Sequence, residues 1–277
     1  MSTLKLSFTT LACPEWDIPT ILSKAMEYEY DGIDFRGYAD QVDLRKRPEF
    51  TSRLAETVRQ VEESGLAVSG VSSSAHMFDA DPKAAAASLQ EVRDYAELCQ
   101  AFRAPFLRVF GGALGGASFD EAIPKAADFL NRLSEIATKA GITAVVETHD
   151  AWVRTEPLLR AFNASGYPPN VFVLWDVNHP YRIAHETVAE TCANIGRLTR
   201  YTHWKDSSAL PDGGHKLMRF GEGTLPLADF FAALKGVGYD GWHVLEWEKR
   251  WHKDIADADI ALPDFIRVMR KLDAATR

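Results

Sequence analysis

Four acidic or imidazole side chains stand where an apolar run stops. Val171-Phe-Val-Leu-Trp175 is rich in β-branched and aromatic residues and reads as a buried strand, with Asp176 at its end and His179 three residues on. Glu147 ends the run from Ile142, His203 the run from Tyr201, and Glu246 the run from Trp242. A carboxylate has little reason to end an apolar strand unless something there attracts its charge. Two Glu, one Asp and one His form a mixed oxygen and nitrogen donor set that suits one divalent ion, manganese first, with magnesium, cobalt or zinc as alternatives. Glu147, Asp176, His203 and Glu246 are therefore the expected metal ligands. One acid at a strand end is as often a helix cap or the partner of an arginine, but four on consecutive strands are much harder to obtain that way.

The elements that must carry these positions alternate along the chain. Strands are expected from Leu4 to Thr9, Asp31 to Arg36, Leu66 to Val71, Pro105 to Phe110, Ile142 to Glu147, Val171 to Asp176, Tyr201 to His203 and Trp242 to Glu246. Between them lie helical patterns: one opened by Asp17-Ile-Pro19, then Pro48 to Glu63, Asp81 to Gln100, Phe119 to Ala140, Pro157 to Ala164 and Glu186 to Ile195. Two more start near Pro226 and run from Pro263 to Leu272. Such alternation means a parallel sheet with helical crossovers, and eight units close it into a single (β/α)8 TIM barrel over residues 1–277.

In such a barrel the active site lies at the carboxyl ends of the strands. The strand period of two gives Glu147 and His149 one facing, as it does His203 and Lys205, and Glu246 and Glu248, leaving His243 and Trp247 toward the helices. Arg36, His76 and Arg108 sit at or just past the ends of strands two, three and four, where they are placed to bind substrate hydroxyls or a phosphate; pairing with Asp34, Asp79 or another acid is the plainer alternative. Lys205 either orients substrate or supports the acidic ligands. Gly221-Glu-Gly223 reads as a turn or a close backbone approach. Trp16, Phe78, Trp152 and Trp251 follow strands one, three, five and eight, as sugar-facing walls or as packing.

Composition narrows the partners. With 277 residues and 46% hydrophobic content the chain can bury a full core, and its formal charge of −8 argues against a nucleic-acid backbone as partner. Cys13, Cys99 and Cys192 are odd in number and far apart, which suggests neither a disulfide framework nor a zinc knuckle. The expected location is a reducing cytoplasm, since no run resembles a signal peptide or a membrane span. A homo-oligomer is compatible with all of this.

Gly32-Ile-Asp-Phe-Arg36, Glu147-Thr-His149, Asp176-Val-Asn-His179, His203-Trp-Lys-Asp206, Gly221-Glu-Gly223 and Tyr239-Asp-Gly-Trp-His-Val-Leu-Glu246 together resemble the strand-end motifs of the xylose isomerase-like barrel superfamily, the sugar phosphate isomerase/epimerase group. The resemblance covers nearly the whole chain. It implies one divalent ion on Glu147, Asp176, His203 and Glu246, proton exchange with a sugar substrate by Glu147 and Glu246, and contact of His179 with a sugar oxygen. Epimerases carry a substrate arginine six residues past the metal histidine; this chain has Ala209 there, with Arg219 as the substitute.

The chemistry this implies is proton movement next to a carbonyl. A metal on a carbonyl and an adjacent hydroxyl acidifies the carbon between them and stabilises an enediolate. Glu147 and Glu246 would serve opposite faces as the catalytic pair, unless they act as ligands only and His149 or His179 is the base. The expectation is a metal-dependent sugar isomerase or epimerase of carbohydrate metabolism acting on a small sugar or keto-sugar. The alternative in the same site is a keto-sugar lyase or hydratase. An AP-endonuclease-like metallonuclease would need more histidines and a basic cleft, and a non-catalytic sugar sensor has no use for the full ligand set.

Overall fold

The computed structural model describes residues 4–276. Eight parallel strands alternate with helices and close in the order β1-β10-β7-β6-β5-β4-β3-β2, the barrel expected from the alternation. Two compact units make up the chain, one of residues before 70 and after 201, the other of residues 70–201. Among the described residues no helix is long and apolar enough to cross a membrane.

In the first unit, β1 (Lys5–Thr9) lies between β2 (Gly32–Phe35) and β10 (Trp242–Leu245), with Ser7 opposite Gly32 and Phe8 opposite Leu245. Helix α1 (Ile18–Glu27) starts as its sequence requires: Asp17 is extended, its carboxylate accepts the Thr20 N–H at 2.9 Å, and Pro19 sits in the first turn. Helix α2 (Leu54–Ser64) is shorter than the Pro48 to Glu63 pattern suggested. Pro48–Phe50 form a separate 3-10 turn instead.

In the second unit, β3 (Ala67–His76), β4 (Phe106–Phe110), β5 (Thr143–Glu147) and β6 (Val171–Asp176) are successive neighbours, with Glu147 opposite Leu174. Leu107, Val145, Val146, Val173 and Leu174 are buried, as strands covered on both faces must be. Strand β3 runs through Ser72-Ser-Ser to His76, beyond the expected Val71, because small serines fill buried positions without breaking the extended backbone. Helices α3 (Pro82–Phe102), α4 (Phe119–Ala140) and α5 (Thr155–Ser165) cover this sheet, and a capping box of Ser118 with Glu121 starts α4. A short α6 (Asn178–Arg182), not foreseen in the sequence, follows β6 and precedes α7 (Val188–Ile195).

Strand β7 (Thr199–Trp204) starts two residues before the expected Tyr201 and ends one residue past His203, and the next stretch is no simple loop. Strands β8 (Asp206–Ala209) and β9 (His215–Met218) form an antiparallel hairpin of their own. Helix α8 (Leu227–Gly236) follows. Helix α9 (Ala258–Ala275) begins five residues before the expected Pro263, with Asp257 at its N-cap and the proline inside it.

Candidate metal centre

The Asp176 carboxylate is tied to the backbone that follows it. Its Oδ1 accepts the N–H groups of Asn178 at 2.8 Å and His179 at 3.2 Å, which fixes the carboxylate over the first turn of α6. The His179 Nδ1 lies 3.0 Å from the Thr148 carbonyl oxygen. A carbonyl only accepts, so Nδ1 carries a proton and Nε2 is the ring nitrogen left to meet a ligand. Thr148 also accepts the Asp176 N–H at 3.0 Å through its hydroxyl. The middle residue of Glu147-Thr-His149 thus holds two site residues in place, a role its uncharged type does not announce.

Glu147 is fully buried, and the Arg108 Nε stands 3.4 Å from its Oε2. The Arg108 guanidinium also lies 3.7 Å from the centre of the Phe110 ring, and its nitrogens are buried at 1% residue exposure without a hydrogen bond. This places Arg108 as a positive neighbour of Glu147. His149 is half-exposed, its ring 4.9 Å from that of His179, with Nδ1 3.1 Å from an Asp150 oxygen. Burial raises the Asp150 pKa, but the His149 partner and the Gly112 N–H outweigh it and hold the carboxyl below its ordinary range. His76, at the end of β3, faces the Phe110 ring at 6.0 Å.

His203 of β7 and Glu246, one residue past the end of β10, meet at 3.5 Å, Nδ1 to Oε2. Lys205 is 1% exposed and lies between Glu246 at 2.6 Å and Glu248 at 2.7 Å. His243 and Trp247 turn the other way: His243 stacks on Phe231 of α8, and the Trp247 indole N–H donates to the Ala256 carbonyl. Arg36 is buried at the end of β2. Arg219 is engaged by Asp264 at 2.7 Å and Glu222 at 3.1 Å.

The Gly221-Glu-Gly223 turn closes on Asp206. That carboxylate accepts the N–H groups of Ser207 at 2.8 Å, Gly221 and Gly223 each at 2.9 Å, and Leu225 at 3.4 Å. Burial raises its pKa against the pull of these four donors. A Cβ on Gly223 would come within 2.1 Å of the Asp206 oxygen, so only glycine allows this approach. Of the four aromatics noted in the sequence, Phe78 and Trp152 are buried as packing, whereas Trp251 is 52% exposed.

Glu147, Asp176, His203 and Glu246 each offer a ligand atom within 4.8 Å of the other three, and all four are buried. The donor set fits a divalent ion by its chemistry. Three carboxylates brought so close repel one another unless a cation intervenes. Glu147, Asp176, Glu246 and Glu248 carry four negative charges, whereas Arg108 and Lys205 supply two positive ones. An ion of charge two would balance the difference. Glu147, His149 and His179 form a second possible ligand group that shares Glu147.

A family model described as xylose isomerase-like TIM barrel matches residues 22–271. The inosose dehydratase of Bacillus licheniformis is 27% identical over 168 residues, 55% of this chain and 53% of that protein, so the match spans about half of the relative's length. Among solved structures, the IOLI protein with a binding zinc atom superposes with a TM-score of 0.82 at 16% identity, covering 98% of this chain and 99% of that one. The 3-keto-D-glucoside 4-epimerase YcjR from E. coli gives 0.77 at 17% identity, covering 97% and 100%. With strand order, helix alternation and family match in agreement, the chain belongs to the xylose isomerase-like TIM barrel family.

Proposed function

We propose that this chain is a divalent-metal-dependent cytoplasmic enzyme of carbohydrate metabolism that moves a proton next to a carbonyl of a sugar or keto-sugar, as an isomerase or epimerase. One observation carries the reading: the buried donor atoms of Glu147, Asp176, His203 and Glu246 converge within 4.8 Å. A bound divalent ion supplies Lewis-acid polarisation of the substrate carbonyl. The zinc in the IOLI structure supports such an ion in this fold; manganese is our first assignment and magnesium, cobalt and zinc the alternatives.

The remaining work falls to the side chains. Glu147 and Glu246 take and return the substrate proton from opposite faces, each held in aim by a cation, Arg108 for the first and Lys205 for the second. His179, its Nδ1–H fixed on the Thr148 carbonyl, presents Nε2 to a substrate hydroxyl. His149 contacts the same substrate. Arg36 and His76 extend the binding surface, and Arg219 takes the place of the arginine absent at Ala209. The acidic balance argues against a nucleic-acid partner in this reading. A second reading, dehydration of a keto-sugar, is favoured by the match to an inosose dehydratase. It uses the same proton abstraction and ends in loss of a β-hydroxyl.

Elemental analysis should find about one divalent ion per chain, lost in His203→Ala. With metal content measured on the same samples, Glu147→Gln and Glu246→Gln should each lower turnover by roughly 10²- to 10⁴-fold. In deuterated water one of them should still exchange the substrate proton from its surviving face without forming product. Near-native exchange in both, with abolition in His149→Asn or His179→Asn, moves the base to a histidine. A product lacking one water assigns the dehydratase.

A further inference from the structure

The loops after β1 and β10 enclose an open cavity of about 580 Å³ whose lining the metal centre does not use. Two tryptophans, Trp16 and Trp251, and two cations, Arg250 and Lys253, stand in its wall, with Arg250 5.4 Å from the centre of the Trp251 ring. The third cation there, Lys249, is tied to Asp257 at 2.8 Å and to the carbonyls of Lys253 and Ile255 at 2.8 and 2.6 Å, so it braces the loop. Asp259 is likewise taken, by the Tyr28 hydroxyl at 2.6 Å and by Lys24 at 3.4 Å. Glu15, which is exposed, is the remaining acid of the lining.

Arg250 is half-buried and poorly matched. Its Nη1 donates to the Ala39 carbonyl, a neutral acceptor, while its Nε–H is buried with no hydrogen-bond partner. The acid whose field reaches it, Asp40, is paired with Arg47 at 2.9 Å. Burial pulls the Arg250 pKa down, so its charge is held at a cost that an anion in the cavity would offset. Planar guanidinium groups suit carboxylate and phosphate oxygens, and indole faces suit the C–H faces of sugar rings. The volume falls within the roughly 300–1,000 Å³ of small-molecule pockets.

We propose that this cavity binds a monosaccharide-sized ligand bearing one oxyanion, a carboxylate or a phosphate, with Arg250 and Lys253 on the oxyanion and Trp16 and Trp251 against the ring. The proposal goes beyond the metal reading and does not depend on it, because none of its residues belongs to the four-ligand group.

Isothermal titration of the full chain with glucose 6-phosphate, glucuronate and uncharged glucose tests it and separates phosphate from carboxylate. Saturable binding of a charged sugar is expected, with glucose weaker by about tenfold or more, the loss of one charge-assisted contact. Arg250→Gln should weaken the charged ligand to a similar degree, and Lys253→Gln, at an exposed position where only the backbone carbonyl takes part in the loop bracing, should weaken it as well. Binding should survive in His203→Ala, which removes a proposed metal ligand and leaves the cavity intact. The site is overturned if neither charged sugar binds, if glucose binds equally well, if both cation variants bind like the native chain, or if His203→Ala alone abolishes binding.

Discussion

Lys205 has 1% of its surface exposed and a carboxylate on either side, Glu246 at 2.6 Å and Glu248 at 2.7 Å. Breaking a buried ion pair leaves a charge without compensation, at a cost of about 3–5 kcal/mol. Lys205→Met should therefore destabilise the metal-free protein by an amount of that order, and a divalent ion beside Glu246 should restore part of it. Urea unfolding with and without manganese measures both effects. Equal losses in the two conditions would separate Lys205 from the metal centre. Arg108 stands to Glu147 much as Lys205 does to Glu246, though at 3.4 Å and with the Phe110 ring on its other side.

At the scale of elements, β10 leads into Glu246 at its end and turns a histidine toward the helices. His243 is buried beside Phe231 and Tyr239, and its Nδ1 accepts the Trp204 indole N–H at 3.1 Å. Burial lowers its pKa to about 3, against 6.5 in an exposed chain. Between those values the unfolded chain takes up a proton that the folded one refuses, so this contribution to stability is complete above pH 6.5 and is lost as pH falls toward 3. The slope approaches about 1.4 kcal/mol per pH unit. His243→Phe should flatten the difference in unfolding free energy between pH 7 and pH 5; an unchanged difference would sink the assignment. The period of two put His243 on this facing in the sequence, just as the acid-ended apolar runs marked Glu147, Asp176, His203 and Glu246. What stayed illegible was what the backbone does at those ends. Thr148 acts through its carbonyl and hydroxyl, α6 is a five-residue helix with no period to read, and the β8–β9 hairpin holds too few apolar residues to stand out.

For the whole molecule, a bound metal would also be a term in folding. An ion that binds only the folded chain adds about 2.7 kcal/mol at a hundred times its dissociation constant. For a chain of this size that corresponds to a melting shift of roughly 5–10 °C. Adding chelator to metal-loaded protein should lower the melting temperature by about that much, and His203→Ala should melt at the chelated value whether or not metal is supplied. A chelator-independent melting temperature in the native chain would argue against a resident ion.

The clamp on Asp206 also divides its surroundings into a fixed part and an exchangeable one. Gly221, Gly223 and Leu225 return to the carboxylate that opens β8, so both ends of the hairpin excursion are pinned at one point. The tip, Leu210-Pro-Asp-Gly-Gly214, is exposed and closes through its own Leu210 to Gly214 hydrogen bond at 2.8 Å. Loop lengthening between fixed ends costs little, about 0.6 kcal/mol per doubling. The tip is thus a graft site: replacing residues 210–214 with a segment twice as long should leave the melting temperature nearly unchanged, whereas the same insertion between Gly221 and Gly223 should not. A barrel with such a cassette beside its strand ends can acquire new surface there while its ligand set stays where it is.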